Sequence, residues 1–280
     1  MSRAYRLKKS ESVPEGVARI ARGRIDHAID ALADASEEGV HEARKDMKKL
    51  RALLRLVGEK RLRDEGGFFR DVARELAGAR DADVMLATVA DLESRYEVEV
   101  GPVRQRLEAH RLRTTGGGRK RAANTAKRML KEGRARVDDW PLERDGFEAF
   151  EDGLRRTYRR GRRDWRAVLA DPSTENLHEW RKRVKDLWYH HSLLQGIWKP
   201  VMSAVADEAH ELSDRLGNDH DLALLLDFGA EELEAVIVER RQELQGEALE
   251  YGARLYADKP KVYVRRIEHW SRPVLIPSSR

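Results

Sequence analysis

Two stretches of the chain carry the same helical pattern of apolar and polar positions. Each residue of an α-helix turns about 100° from the last, so apolar residues three and four apart share a face. Residues 40–57 and 177–194 both fit this spacing, at a constant offset (178 − 41 = 137). Their apolar faces are Ala43, Met47, Leu50, Leu54 and Val57 in the first stretch and Trp180, Val184, Leu187, His191 and Leu194 in the second. Both are predicted to be amphipathic helices.

The faces opposite these stripes are basic and contain no acid. The first carries His41, Arg44, Lys45, Lys48, Arg51 and Arg55, and the second carries His178, Arg181, Lys182 and Lys185, followed by the neutral Tyr189 and Ser192. The whole chain has 55 Lys and Arg against 50 Asp and Glu, so an ordinary exposed face is expected to mix signs. Like charges three or four apart on a helix also repel by a few tenths of a kcal/mol. A self-repelling face that occurs twice indicates an anionic partner. The alternative is a pair of duplicated surface helices that bind nothing.

The same offset extends to the helices that precede these two. It places Arg22 on Arg159 and Asp26 on Arg163, within an Arg-rich helix predicted over 147–170. The repeated pair of helices predicts an all-α fold made of two helical bundles from an internal duplication. We expect a first repeat over residues 1–140, a second over 141–257 and a C-terminal tail over 258–280.

Several local features are predicted with the repeat. Gly217 and Asn218 separate a helix over 201–216 from one over 219–227, and Asp221, like Asp81 in the first half, is placed near a helix start as a cap. Ser173 or Thr174 is expected to cap the second basic helix. A short strand is predicted over 261–267.

Composition narrows the classes of protein further. The chain has no cysteine, which excludes disulfides and thiolate chemistry. The first sixteen residues are polar, and the longest apolar run, Leu222–Leu226, is too short to cross a bilayer. We therefore expect a cytoplasmic protein without a membrane association. A net charge of +5 is too small to indicate nucleic acid by itself.

The duplicated basic helices also resemble a known family. A His-x-x-Arg-Lys-x-x-Lys helix that follows an Arg-rich helix and precedes a Leu-Gly/Ala-x-x-x-Asp segment is similar to the pattern of the CHAD (conserved histidine α-helical domain) family. The resemblance covers roughly residues 10–256. It implies two helical bundles related by a pseudo-twofold axis, with a basic groove or channel between them that binds inorganic polyphosphate. The chain departs from its own repeat at Trp188 and Ser192, which stand where the first half has Arg51 and Arg55.

On this basis we expect a stand-alone, non-catalytic module whose ligand is inorganic polyphosphate, free or in granules, held without a metal or cofactor. The expected binding residues are Arg22, His41, Arg44, Lys45, Lys48, Arg51, Arg55, Arg159, Arg163, His178, Arg181, Lys182 and Lys185, with Lys127, Arg128 and Lys131 as a second group. Ten exposed contacts of about 1 kcal/mol each are enough for tight binding of one polymer. Binding is predicted to tighten as the pH falls towards about 6.5, the ordinary pKa of histidine.

Two other functions stay open at this point. A metal-dependent phosphohydrolase requires clustered carboxylates or histidines, for which the candidates are Asp81 with Asp83 and Asp219 with His220 and Asp221. A nucleic-acid-binding protein usually interleaves aromatic residues with its cations, whereas Trp180 here belongs to the apolar stripe.

Overall fold

The computed structural model describes residues 4–8, 10–77, 81–114 and 118–272 of the 280-residue chain. These ranges form eleven α-helices and no strand, which confirms the predicted all-α fold class. The helices are α1 (Val13–Ala31), α2 (Glu37–Val57), α3 (Arg63–Glu75), α4 (Asp81–Tyr96), α5 (Gly101–Thr114), α6 (Gly118–Arg136), α7 (Glu148–Ala170), α8 (Thr174–Leu193), α9 (Lys199–Asp227), α10 (Glu234–Leu255) and α11 (Pro260–Ser271).

The ends of the two basic helices, α2 and α8, follow from local sequence. The Ser36 side chain accepts a hydrogen bond from the Gly39 N–H at 3.1 Å at the start of α2. The predicted cap of α8 is confirmed, since Ser173 accepts from the Asn176 N–H at 3.4 Å. Each such cap stabilises a helix by about 1 kcal/mol. Gly58 ends α2 in the left-handed conformation, with φ of 73°.

The apolar faces of α2 and α8 lie in the main core. All ten residues of the two predicted stripes are at most 5% exposed. Helix α1 packs on α2 and α7 packs on α8, and α2 also contacts both α7 and α8. The buried residues of all these helices form one cluster, so the main core draws on both predicted repeats. The duplication itself, and boundaries at 140 and 257, stay predictions.

A smaller core lies at the other end of the long helices. It joins Met85, Val89 and Leu92 of α4 and residues of α5 to the C-terminal part of α9 and the start of α10. Helix α9 reaches both cores because its 29 residues span about 44 Å at 1.5 Å per residue.

Close contact between α2 and α7 depends on a glycine. A Cβ atom at Gly153 of α7 would lie 1.7 Å from the carbonyl oxygen of Leu56 in α2. No other residue permits this approach, because real Cβ contacts are never so short. The crossing places the arginines of α7 beside the C-terminal end of α2.

Three local predictions are wrong. Helix α9 runs without interruption through Gly217 and Asn218, so Asp221 lies inside a helix and not at a helix start. Residues 261–267 belong to α11, which packs on α7 through Tyr263, Val264 and Ile267. For the first half, Asp81 is the first residue of α4, but its side chain and Arg80 lie outside the described residues.

Candidate anion-binding site

The two basic helices are joined by a buried carboxylate. Asp186 of α8 is 1% exposed and accepts hydrogen bonds from Arg55 Nε and Nη2 of α2, at 2.9 and 2.6 Å. Its second oxygen accepts from Arg183 Nη1 at 3.0 Å. One turn away, the buried His190 ring donates from Nε2 to the Ala52 carbonyl at 3.0 Å. These contacts fix the position of one predicted binding helix against the other.

Lysines of the two motifs lie close enough to repel each other where α2 packs against α8. Burial, and after it the positive charges of Arg181 and Lys48, lower the pKa of Lys185 from 10.5 to about 7. Lys48 and Lys185 occupy equivalent positions of the two motifs. Asp214 and Asp221 of α9 raise the pKa of Lys185, but this effect is smaller than the lowering by burial and by the two cations. The crossing is therefore a place where positive charges are held together at a cost in free energy.

Helix α9 completes the site around His178. The rings of His178 and His220 lie 4.8 Å apart. Burial, and after it His220 and the neighbouring cations Lys182 and Arg181, lower the pKa of His178 to about 4. The pKa of His220 is lowered too, mainly by burial and then by Arg181. His178 is therefore mostly neutral at pH 6.5 in the ligand-free protein, and the tightening of binding near that pH stays a prediction.

Gly217 lies within the continuous helix α9 because a side chain at this position would come too close to Arg181. A Cβ atom at Gly217 would lie 2.9 Å from Arg181 Nη2. The glycine thus lets the guanidinium of α8 rest against α9, beside Lys185 and His220. The predicted helix break is instead a close contact between Arg181, one of the expected binding residues, and helix α9.

A second group of cations surrounds a pocket at the C-terminal end of α2. This arginine pocket has a volume of about 470 Å³ and is lined by Arg51, Leu54, Arg55, Gly58, Glu59, Leu62, Arg63, Gly66, Gly67, Arg70, Arg156 and Arg160. Burial, and after it the positive charge of Arg55, lower the pKa of Arg51 to about 10. Arg156 donates from Nη2 to the Arg55 carbonyl at 3.2 Å, across the crossing of α7 and α2. The pKa of Arg156 is also lowered, first by burial and then by Arg160.

The two groups are continuous along α2. Lys48, Arg51 and Arg55 stand three and four residues apart, a spacing that makes them neighbours on one helical face. We call the series Arg55, Arg51, Lys48, Lys185 and Arg181 the basic line. It runs from the arginine pocket, across α2, to the contact between α8 and α9.

Other expected residues have different surroundings. Lys45 bonds to Glu42 at 2.7 Å, and Lys182 bonds to the equivalent Glu179. Arg163 is 73% exposed and pairs with Asp164. Arg22 pairs with Asp138, beside the short turn that follows α6, away from the basic line. His41 and Arg44 are half-buried on α2, and Arg159 is exposed on α7.

Some residues of the site were not expected from the sequence. Arg63 and Arg70 come from α3, Arg156 and Arg160 from α7, and His220 from α9. The available signal on α3 is the spacing Arg-x-x-Gly-Gly-x-x-Arg, which puts all four residues on one helical face. The second group, Lys127, Arg128 and Lys131, lies on α6, which packs against α1 and α3.

Asp219, one of the carboxylates considered for metal binding, has structural partners. Asp219 is buried and accepts from Arg241 Nε at 3.0 Å and from the Gln245 amide at 2.7 Å. Across the described ranges, no three His, Asp or Glu side chains are grouped so that they could hold a metal ion. The helices of the same ranges include none with the length and apolar character needed to span a membrane.

The fold and the site define an all-helical protein in which cations gather where two helices cross. The family model of the CHAD domain matches residues 19–230, and the chain belongs to the CHAD family. That family is known for binding polyphosphate and is generally non-catalytic.

Comparison with solved structures supports the same fold. The chain is similar to the crystal structure of the CHAD domain from the plant Ricinus communis, with a TM-score of 0.54 and 19% sequence identity over 94% of each chain. No curated protein matches the chain.

Proposed function

We propose that this protein binds inorganic polyphosphate along the basic line, without catalysis. The observation that carries the proposal is the repulsion between Lys48 and Lys185, because these equivalent cations of the two motifs act on each other where α2 packs against α8. Crowding of this kind costs free energy in the ligand-free protein. A polymer with regularly spaced anions removes that cost along its whole length.

The chemistry of the proposed contacts is ionic and multivalent. Arginine offers a planar fork to phosphate oxygens, and lysine offers a compact charge that follows the chain. His178 contributes as a neutral hydrogen-bonding residue at pH 7, since its pKa is about 4. Lys45, Lys182 and Arg163 exchange their present carboxylate partners for phosphate. His41, Arg44 and Arg159 extend the binding surface, whereas Arg22, paired with Asp138, adds less.

The decisive experiment is a polyphosphate titration of the wild type against Lys45→Glu/Lys48→Glu/Lys182→Glu/Lys185→Glu. Removal of four contacts of about 1 kcal/mol each lowers the affinity by about 1000-fold, and charge reversal adds to this. A control with the same change in net charge is Lys199→Glu/Lys259→Glu/Lys261→Glu/Arg265→Glu, at exposed positions of α9 and α11 and next to them. Equal losses in both variants would show that only net charge matters, and the proposed site would be wrong.

Two further measurements separate this function from its alternatives. Incubation of polyphosphate with the protein and Mg²⁺ or Mn²⁺ is expected to release no phosphate, whereas a phosphohydrolase releases it. Competition at physiological salt is expected to favour polyphosphate over single-stranded DNA or RNA, because bases add nothing to a site that contacts phosphate alone.

A further inference from the structure

The arginine pocket has a feature that binding along the basic line does not explain. Its wall on α3 contains two successive glycines, Gly66 and Gly67, between Arg63 and Arg70. Glycine inside a helix is less favourable than alanine by about 1 kcal/mol per residue. Two of them in a helix of 13 residues therefore need a reason.

Neither packing nor backbone conformation supplies that reason. A Cβ atom at Gly66 would meet nothing within 4 Å, and one at Gly67 would first meet Arg70 Nη2, at 3.8 Å. Neither glycine is among the residues with positive φ. Both glycines line the pocket, and a Cβ atom at either position would meet open space or ordinary van der Waals contact. The absence of side chains therefore keeps the pocket open.

The charge around the open space is not neutralised. Glu59 is the acid of the lining, and it pairs with Arg144 at 3.2 Å, outside the pocket. Within the described part of the chain, Arg51, Arg63 and Arg160 form no ion pair with a carboxylate. Three guanidinium groups from three different helices thus face one space, and the one carboxylate in its lining, Glu59, is paired with Arg144 rather than with any of them. Such a space favours a compact ligand with several negative charges.

We infer that the arginine pocket is an anchor site for a short condensed-phosphate segment, and that Gly66 and Gly67 provide the room for it. The inference rests on the proposed function, since it takes the ligand class from there. A volume of about 470 Å³ lies within the range of small-ligand sites, about 300–1,000 Å³. Arg51 and Arg55 belong both to the pocket and to the basic line, so a longer chain that starts in the pocket continues directly to Lys48.

The inference makes a specific prediction about chain length. A polymer held only by evenly distributed contacts binds weakly when it is cut to three phosphate units. A protein with an anchor retains a measurable part of its affinity for such a fragment. Tripolyphosphate is therefore the probe, with long-chain polyphosphate measured in parallel by calorimetry.

The variant Gly66→Leu tests the role of the glycine. Leucine raises the thermal stability of the free protein, because it favours the helix and meets no neighbour at Cβ. It also fills the pocket, and we expect the affinity for tripolyphosphate to fall at least tenfold. If Gly66 has only a structural role, Gly66→Leu is expected to lower the thermal stability and to leave tripolyphosphate binding unchanged.

The matched control is Gly246→Leu in α10. A Cβ atom at Gly246 also meets nothing within 4 Å, and the residue lies in a helix outside the pocket. It is expected to gain stability by the same mechanism and to bind tripolyphosphate like the wild type. Arg63→Gln/Arg160→Gln is a second test, which keeps the size of the side chains and is expected to weaken tripolyphosphate binding at least tenfold.

The results distinguish this inference from the proposed function. Wild-type protein that binds long chains but not tripolyphosphate would overturn the anchor and leave the proposed function standing. Unchanged tripolyphosphate binding in both Gly66→Leu and Arg63→Gln/Arg160→Gln would also overturn it. Failure of the wild type to bind any condensed phosphate would remove both.

Discussion

The basic helices α2 and α8 carry the same motif in different surroundings. On α2 the series continues into Arg51 and Arg55 and ends at an open pocket. On α8 the cations are enclosed by α9, with Arg181 against Gly217 and the pKa of Lys185 lowered to about 7. The motif alone therefore does not determine how much positive charge each helix presents. The helix that packs beside it decides how many of its cations stay charged at neutral pH.

The largest expected effect comes from reversing charge in one motif at a time. At pH 7.5 we expect Lys45→Glu/Lys48→Glu to weaken polyphosphate binding about 100-fold and Lys182→Glu/Lys185→Glu about 30-fold, from contacts of about 1 kcal/mol plus repulsion. The second motif loses less because Lys185 is largely neutral at this pH. Titrations with labelled polyphosphate measure both values. A greater loss in the second motif would reverse the comparison.

The positions at which the motifs differ are expected to differ in stability. Arg55→Ala removes a partner of the buried Asp186, whereas Ser192→Ala, at the equivalent position of α8, removes only a bond to the Trp188 carbonyl. Breaking a buried ion pair costs about 3–5 kcal/mol. Because Arg183 still bonds to Asp186, we expect a loss of about 2 kcal/mol for Arg55→Ala and under 1 kcal/mol for Ser192→Ala. Urea unfolding measures both, and equal losses would contradict the prediction.

The pH dependence of binding is expected to come from Lys185. Its pKa in the folded protein is about 7 against an ordinary 10.5, so its charged fraction rises as the pH falls from 8 to 6. Phosphate favours the charged form, which gives an affinity about tenfold higher at pH 6 than at pH 8. His178 does not contribute in this range, because its pKa is about 4.

The control for this prediction is Lys185→Arg, which stays charged at both pH values. It is expected to bind with nearly the same affinity at pH 6 and pH 8. A tenfold dependence that persists in Lys185→Arg would assign the titration to another group, such as His41.

The smallest expected effect concerns the glutamates of the two motifs. Glu42 bonds to Lys45 and Glu179 bonds to Lys182, at equivalent positions. Each exposed pair stabilises the protein by about 0.3–0.5 kcal/mol. Replacement by glutamine releases the lysine for phosphate, and we expect Glu42→Gln and Glu179→Gln each to raise the affinity about twofold. Weaker binding in either variant would show that the glutamate positions its lysine.

Much of the fold could be predicted from periodic patterns. The apolar stripes of α2 and α8 extend over many residues, so their burial followed directly from the spacing. The run 261–267 is too short for its sequence pattern to distinguish a strand from a helix. In the structure it belongs to α11, which packs against α7. In the sequence, Gly217 resembles the glycine at the end of a helix. Only the position of Arg181 in the structure shows that this glycine allows a close contact inside a helix.

The site was predictable only in part, for a related reason. Residues of one motif share a helix, so their common face can be read from the sequence. Arg63, Arg70 and Arg160 join Arg51 because α3 and α7 pack beside α2, and this packing depends on contacts between distant segments such as Gly153 and Leu56. For Arg22, the sequence pattern predicted the position in the repeat but did not predict the ion pair with Asp138.

The position of Asp186 has a consequence for how the proposed ligand binds. As a built-in counter-ion, its buried carboxylate holds Arg55 and Arg183 in place before any phosphate arrives. The guanidinium of Arg55 is thus preorganised, and less side-chain entropy is lost when the polymer docks. On the proposed function, the part of the basic line around Arg55 is already assembled before the polymer arrives, and rearrangement is confined to residues such as Lys45 and Lys182 that exchange a glutamate for phosphate.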